Sequence, residues 1–299
     1  MSDSPTKTAE LDPTELAALQ ETARRIRVAI VRTVDHAKGG HLGGPLSAAD
    51  VLAALYFRIM RVRPEEPAWP DRDRLILSKG HSSIGLYAAM ALRGYLPLEE
   101  LATFDAVHSR LQGHPDMNLL PGLDMSTGSL GMGISAGVGM ALGARLTGRD
   151  CRTFVILGDG ECQEGEVWEA AMVGSRYGLD NLIAIVDHNK LQQYGWPGGS
   201  AEHRRPPEEP GELVAKWTAF GWRVLEMDGH DMAAVVRTLG TATVPDGRPV
   251  AVVAHTVKGR GVSFMEDRYY WHTRILKPEE FEQAMAELGE PAASEGGRR

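Results

Sequence analysis

The sequence predicts an α/β protein: a doubly wound, mostly parallel sheet with helices on both faces, forming a single domain over residues 1–299. Three observations lead there. From residue 152 onward, short apolar runs alternate with segments of helical period, at the spacing of strand–helix–strand units. The glycine-rich turns fall where the apolar runs end, and in sheets of this kind ligands sit beyond those ends. No internal repeat and no long linker divides the chain.

Taken in order, residues 16–34 place apolar side chains at helical spacing, with Pro13 near the start. Residues 47–60 read as an apolar helix opened by Ser47 and Asp50 as a capping box. A short strand over 74–77 runs into Ser78-Lys79-Gly80-His81, followed by a small-residue helix over 82–92 and a short helix over 97–104. Between 105 and 130 no period holds, and a loop of that length in a compact domain points to function. The Gly/Ala-rich stretch 131–146 reads as a packed helix. Strands are then expected over 152–157, 181–187, 222–227 and 249–255, and helices over 166–177, 212–220 and 232–239. The loop over 195–211, with Arg204-Arg205-Pro206-Pro207, has no assigned role. The tails 1–12 and 290–299 are expected to be flexible.

Composition excludes several classes of function. The net charge of -8 argues against nonspecific binding to nucleic acid or an anionic membrane. Two cysteines, Cys151 and Cys162, make neither a disulfide framework nor a zinc site. The polar, acidic N-terminus is not a signal or transit peptide, and the least polar stretch carries Arg145. A cytoplasmic enzyme is the expectation.

The chemistry concentrates at Gly158-Asp159-Gly160, between an apolar strand and a helix. Asn189 lies thirty residues on, one strand–helix–strand unit away, which sets it beside Asp159 at one edge of a parallel sheet. A carboxylate and an amide carbonyl suit a hard cation such as Mg²⁺, which is commonly shared with the phosphates of a ligand. The helix expected just after Gly160 offers N–H groups and a positive dipole end to a diphosphate. Glycine lets the backbone come close.

With these residues in place, the chain resembles the transketolases, thiamine diphosphate enzymes. The run Gly158-Asp159-Gly160-Glu161-Cys162-Gln163-Glu164-Gly165-Glu166-Val167-Trp168-Glu169-Ala170 is similar to theirs. So, in order, are Lys38-Gly39-Gly40-His41-Leu42-Gly43-Gly44-Pro45, Leu77-Ser78-Lys79-Gly80-His81, Gln112-Gly113-His114-Pro115, Thr127-Gly128-Ser129-Leu130-Gly131-Met132-Gly133 and Asp228-Gly229-His230-Asp231. The likeness extends from about residue 16 to about 276.

The resemblance implies Mg²⁺, with Ca²⁺ or Mn²⁺ as substitutes, held by Asp159, Asn189 and the main-chain carbonyl of Leu191. It implies thiamine diphosphate contacts from His81, Gly158, Gly160 and Glu161, and backbone approach of Gly128, Ser129 and Leu130 to the aminopyrimidine. His41, His81 and His114 would line the substrate channel, joined by His272 after Lys258-Gly259-Arg260-Gly261. An imidazole with near-neutral pKa suits proton movement and hydroxyl binding there. The other six of the ten histidines, His230 and His188 among them, are read as ordinary surface or core residues. Glu164 is either an acid favoured near a helix start or part of a carboxylate chain between two cofactors at a subunit interface.

The glutamate that activates the aminopyrimidine, and most residues that grip a sugar phosphate, belong in transketolases to a pyrimidine-binding domain. The chain is therefore expected to act on sugars or sugar phosphates within an α2β2 assembly formed with a C-terminal transketolase subunit. The alternatives are the α component of a 2-oxo acid dehydrogenase and a noncatalytic cofactor-binding paralogue. Likeness to a deoxyxylulose phosphate synthase is weaker.

Overall fold

The computed structural model describes residues 11–193 and 210–290. Its core is a five-stranded sheet in which every neighbouring pair is parallel: β1 (Arg74–Leu77), β2 (Thr153–Gly158), β3 (Leu182–His188), β4 (Arg223–Asp228) and β5 (Val250–His255), in the spatial order β1-β2-β3-β5-β4. Strands buried on both faces need unbroken apolar runs, and β2, β3 and β5 supply them. Alternate side chains feed opposite cores. Phe154, Ile156, Ile183, Ile185, Val250 and Val252 pack on one side, and Val155, Leu157, Ala184, Val186, Ala251 and Val253 on the other.

The first face is covered by α1 (Pro13–Ala37), α2 (Gly43–Ala54), α3 (Ser83–Arg93), α7 (Met232–Ala242) and α8 (Pro278–Glu287). The second is covered by α4 (Met132–Leu146), α5 (Gly165–Arg176) and α6 (Pro210–Ala219). The doubly wound, parallel architecture expected from the sequence is the one found.

Several local expectations are corrected. The second helix begins at Gly43, four residues before Ser47, so Ser47 and Asp50 form no capping box. Both point inward. Ser47 Oγ lies 2.6 Å from Asp187 Oδ2, and Asp50 takes Arg27 and His230. This helix ends in a π-helical turn, Leu55–Ile59. The short helix expected over 97–104 is a 3-10 helix, Leu98–Thr103. The helix expected just after Gly160 is a 3-10 turn, Gly160–Gln163, and α5 starts only at Gly165.

The last helix, α8, was missed, although Pro278 at its first position and Glu280, whose carboxylate accepts from Lys277 N–H at 2.9 Å, supply the start signal. Asp12 caps α1 by accepting from Thr14 N–H at 2.9 Å, and Glu290 pairs with Arg24 and Arg32. Residues 105–130 are irregular, as expected. Most of the 195–211 loop, the 1–10 end and the 291–299 end lie outside the described residues.

Candidate cofactor and substrate site

At the carboxyl ends of the strands lies a cavity of about 400 Å³. Of the site residues expected from the sequence, every one except Ser129 lines it. A larger hollow of about 590 Å³ lies between α1 and the Leu98–Thr103 turn, lined by Arg25, Arg32, His36, Glu99 and Glu290 among others, and away from the strand ends.

The floor is built by two adjacent strands. Paired register places Gly158, the last residue of β2, opposite Asp187 of β3. Asp159 follows immediately and is 3% exposed. Its carboxylate accepts from Gly160 N–H at 2.9 Å and from Lys190 N–H at 2.6 Å. The second bond draws the 189–191 turn over Asp159, so the carboxylate, the Asn189 amide and the Leu191 carbonyl face one cavity. Burial, and then the neighbouring Asp187 carboxylate, push the Asp159 carboxyl up to about 7.

A buried acid crowded by another acid, flanked by an amide and a carbonyl oxygen, is short of positive charge. The donor set is all oxygen, which fits a hard divalent cation. The Lys258 ammonium already lies 3.1 Å from Leu191 O, another sign that this corner favours positive charge.

The Glu161 carboxylate turns inward. It accepts from Gly131 N–H at 2.8 Å and from Gly158 N–H at 3.0 Å, and bonds Ser78 Oγ. It thereby ties the start of α4 to the strand ends. Gly131, at φ 83°, adopts a left-handed backbone, and a Cβ there would come 2.8 Å from Glu164 Cβ. Glu164 itself is exposed at the cavity mouth.

Four imidazoles form the opposite wall. His41 sits between α1 and α2, His81 in the turn after β1, His114 in the 105–130 loop, and His272 after a 3-10 turn, Tyr269–Trp271. The His41 ring centroid lies 5.1 Å from that of His81, 6.4 Å from His114 and 5.1 Å from His272. His81 and His272 are 4.9 Å apart. Burial, then the Lys79 ammonium, lowers His81 to about 2. Burial, then Lys258, lowers His272 to about 3. Burial, then His114, lowers His41 to about 4. These three rings are neutral near pH 7, each with one donor and one acceptor nitrogen. Lys258 Nζ lies 2.9 Å from His272 Nδ1, so that nitrogen accepts and the N–H of His272 resides on Nε2.

Sequence reasoning missed the charged groups between these walls. Lys79 is 2% exposed and forms an ion pair with Asp187, while Thr256 and Ser47 also hydrogen-bond that carboxylate. Although burial opposes its charge, Lys79 and these hydroxyls hold Asp187 below the usual carboxylate range. Lys258 is likewise 2% exposed, and burial lowers it to about 8. The missed signal was the position of each lysine: just past an apolar strand and directly before a glycine, where burying an ammonium requires an anion or polar partners.

Comparisons with known proteins give the family. Residues 18–294 match the family described as "Transketolase, thiamine diphosphate binding domain". The chain is 44% identical over 275 residues to the 6-deoxy-6-sulfo-D-fructose transketolase subunit of Clostridium sp. (strain MSTE9), covering 92% of this chain and 98% of that one. It is 41% identical over 276 residues to an apulose-4-phosphate transketolase subunit of Phocaeicola vulgatus, covering 92% and 95%. Transketolase from Pichia stipitis, solved with sedoheptulose-7-phosphate, superposes with a TM-score of 0.84 at 32% identity, covering 92% of this chain and 41% of that one. The chain thus spans about two fifths of the length of the solved transketolases it matches.

Proposed function

Because the chain belongs to the transketolase family, as its thiamine diphosphate-binding domain, we propose that it is the N-terminal subunit of a two-component transketolase. The enzyme would move a two-carbon ketol unit from a ketose or ketose phosphate to an aldose acceptor. One observation carries the reading: Asp159, Asn189 and Leu191, which offer oxygen donors, and a cluster of four histidines line one cavity at the strand ends.

Asp159, Asn189 and the Leu191 carbonyl would hold Mg²⁺, with Ca²⁺ or Mn²⁺ able to replace it. Gly158, Gly160, Glu161 and His81 would border the diphosphate, and Gly128, Ser129 and Leu130 the aminopyrimidine. Thiamine diphosphate, when bound, supplies an electron sink for breaking a carbon–carbon bond beside a carbonyl. The protein's own part is positional and protonic. The Lys258 ammonium would offset part of the charge of a diphosphate, Lys79 being paired with Asp187. His272 presents Nε2–H as a donor, and neutral His41 and His81 can each accept a proton from one hydroxyl while donating to another. His114 adds a fourth imidazole from the loop side.

Two relatives named as subunits are matched over nearly their whole lengths, which supports a partner chain carrying the pyrimidine-binding domain in an α2β2 assembly. The exposed Glu164 would meet it. The subunits' names give no support to the 2-oxo acid dehydrogenase alternative. A cytoplasmic setting is part of the proposal; among the described residues, no helix is long and apolar enough to cross a membrane. The test is ketol transfer between sugar phosphates, with thiamine diphosphate and MgCl₂, by the chain alone and with its partner subunit. Turnover is expected only from the pair, and robust turnover by the chain alone would overturn the two-component reading.

A further inference from the structure

The segment Asp228-Gly229-His230-Asp231 follows β4 on the same side of the sheet as the cavity, yet His230 does not line it. Its ring is held at both nitrogens. Val257 N–H donates to Nε2 at 2.8 Å, so Nε2 carries the lone pair. Nδ1 lies 2.8 Å from Asp50 Oδ2 and therefore carries the hydrogen. Asp50, on α2, also receives the Arg27 guanidinium of α1 on both oxygens. The three side chains are each 9% exposed.

These contacts end on the 256–259 turn, which carries much of the cavity's charge arrangement. Thr256 Oγ1 bonds Asp187. Lys258 Nζ reaches Leu191 O at 3.1 Å and His272 Nδ1 at 2.9 Å. Gly259 N–H donates to Gly43 O at 3.0 Å. Val257, which does not line the cavity, finds its acceptor in the imidazole. A buried N–H without an acceptor is costly, and a turn relieves that cost by moving toward solvent.

We propose that His230 is a positioning residue: its ring, oriented by Asp50 and Arg27, locks the 256–259 turn so that Thr256 holds Asp187 and Lys258 faces the bound ligand. This rests on the cavity being the thiamine diphosphate site. The ring links α1, α2, the β4–α7 turn and the β5 end, so a side chain outside the cavity sets its charge geometry.

Two substitutions separate the two bonds. His230→Gln carries a carbonyl oxygen to the Nε2 position and still accepts from Val257. His230→Asn keeps a donor for Asp50 but does not reach Val257. Amide hydrogen exchange over 255–260 in the full chain, and tryptophan fluorescence titration, with thiamine diphosphate in MgCl₂, of the chain paired with its partner subunit, read the two effects.

His230→Asn is expected to speed exchange over 255–260 and weaken cofactor binding, each roughly tenfold, with α7 unchanged. His230→Gln is expected to restore both to within about twofold of the parent. Unaltered exchange and binding in His230→Asn would overturn the proposal, as would a His230→Gln variant impaired as much as His230→Asn. Should His230→Asn not fold, His230→Gln alone decides, because a folded Gln variant with tenfold weaker binding contradicts it. A parent chain that binds no cofactor even with its partner subunit present, while exchange still separates the two variants, would instead defeat the cofactor assignment and with it the link from turn to ligand.

Discussion

Replacing Asp159 by Asn should stabilise the protein in the absence of ligands while destroying its response to them. The Asp159 carboxyl rises from 3.8 to about 7 on folding, through burial and the charge of Asp187. At about 1.4 kcal/mol per tenfold change in proton affinity, the anion is disfavoured by about 4 kcal/mol above pH 7. The sign follows from linkage: a folded pKa above the unfolded one means stability present at low pH and lost as pH climbs from about 4 to about 7. Asparagine removes that charge but can accept only one of the N–H groups of Gly160 and Lys190, at a cost of about 1–3 kcal/mol. The net expectation for Asp159→Asn is about 1–3 kcal/mol of added stability at pH 8, and none at pH 5, where the parent carboxyl is largely protonated. Urea unfolding at both pH values, with and without thiamine diphosphate and MgCl₂, measures it. Equal destabilisation at pH 5 and pH 8 would refute the electrostatic account. An undiminished ligand-induced shift would refute Asp159 as a metal ligand.

Two further substitutions probe the frame of the site. Lys79→Ala strands the Asp187 carboxylate, whose side chain is 4% exposed, and should cost about 3–5 kcal/mol in urea unfolding at pH 7; a loss under about 1 kcal/mol would mean that Thr256, Ser47 and Lys258 suffice to hold it. Gly131→Ala puts a Cβ on a left-handed backbone and 2.8 Å from Glu164 Cβ, so a loss of about 1–3 kcal/mol is expected by the same measurement, and a neutral result would show that the start of α4 yields freely.

Much of this architecture was legible before any coordinates, because its signals are local. A strand buried on both faces must be an unbroken apolar run, and β2, β3 and β5 are such runs whatever their neighbours. Gly158-Asp159-Gly160 and Asn189 could be set side by side because one strand–helix–strand unit separates them, and right-handed parallel crossover leaves little choice of geometry. Local signals also misled. Ser47 and Asp50 match a capping box, but both turn inward, to Asp187 and to Arg27 and His230.

The order β1-β2-β3-β5-β4 was decided only by long-range packing. It brings Lys79 from the end of β1 and Lys258 from beyond β5 to the carboxylates of Asp159, just past β2, and Asp187 on β3. It also gathers four histidines from four separate turns. Periodicity records which face of its own element a side chain occupies. Whether a lysine is paired, a carboxyl lifted to about 7 or an imidazole kept neutral depends on burial and on the charged groups that the folded chain gathers around it.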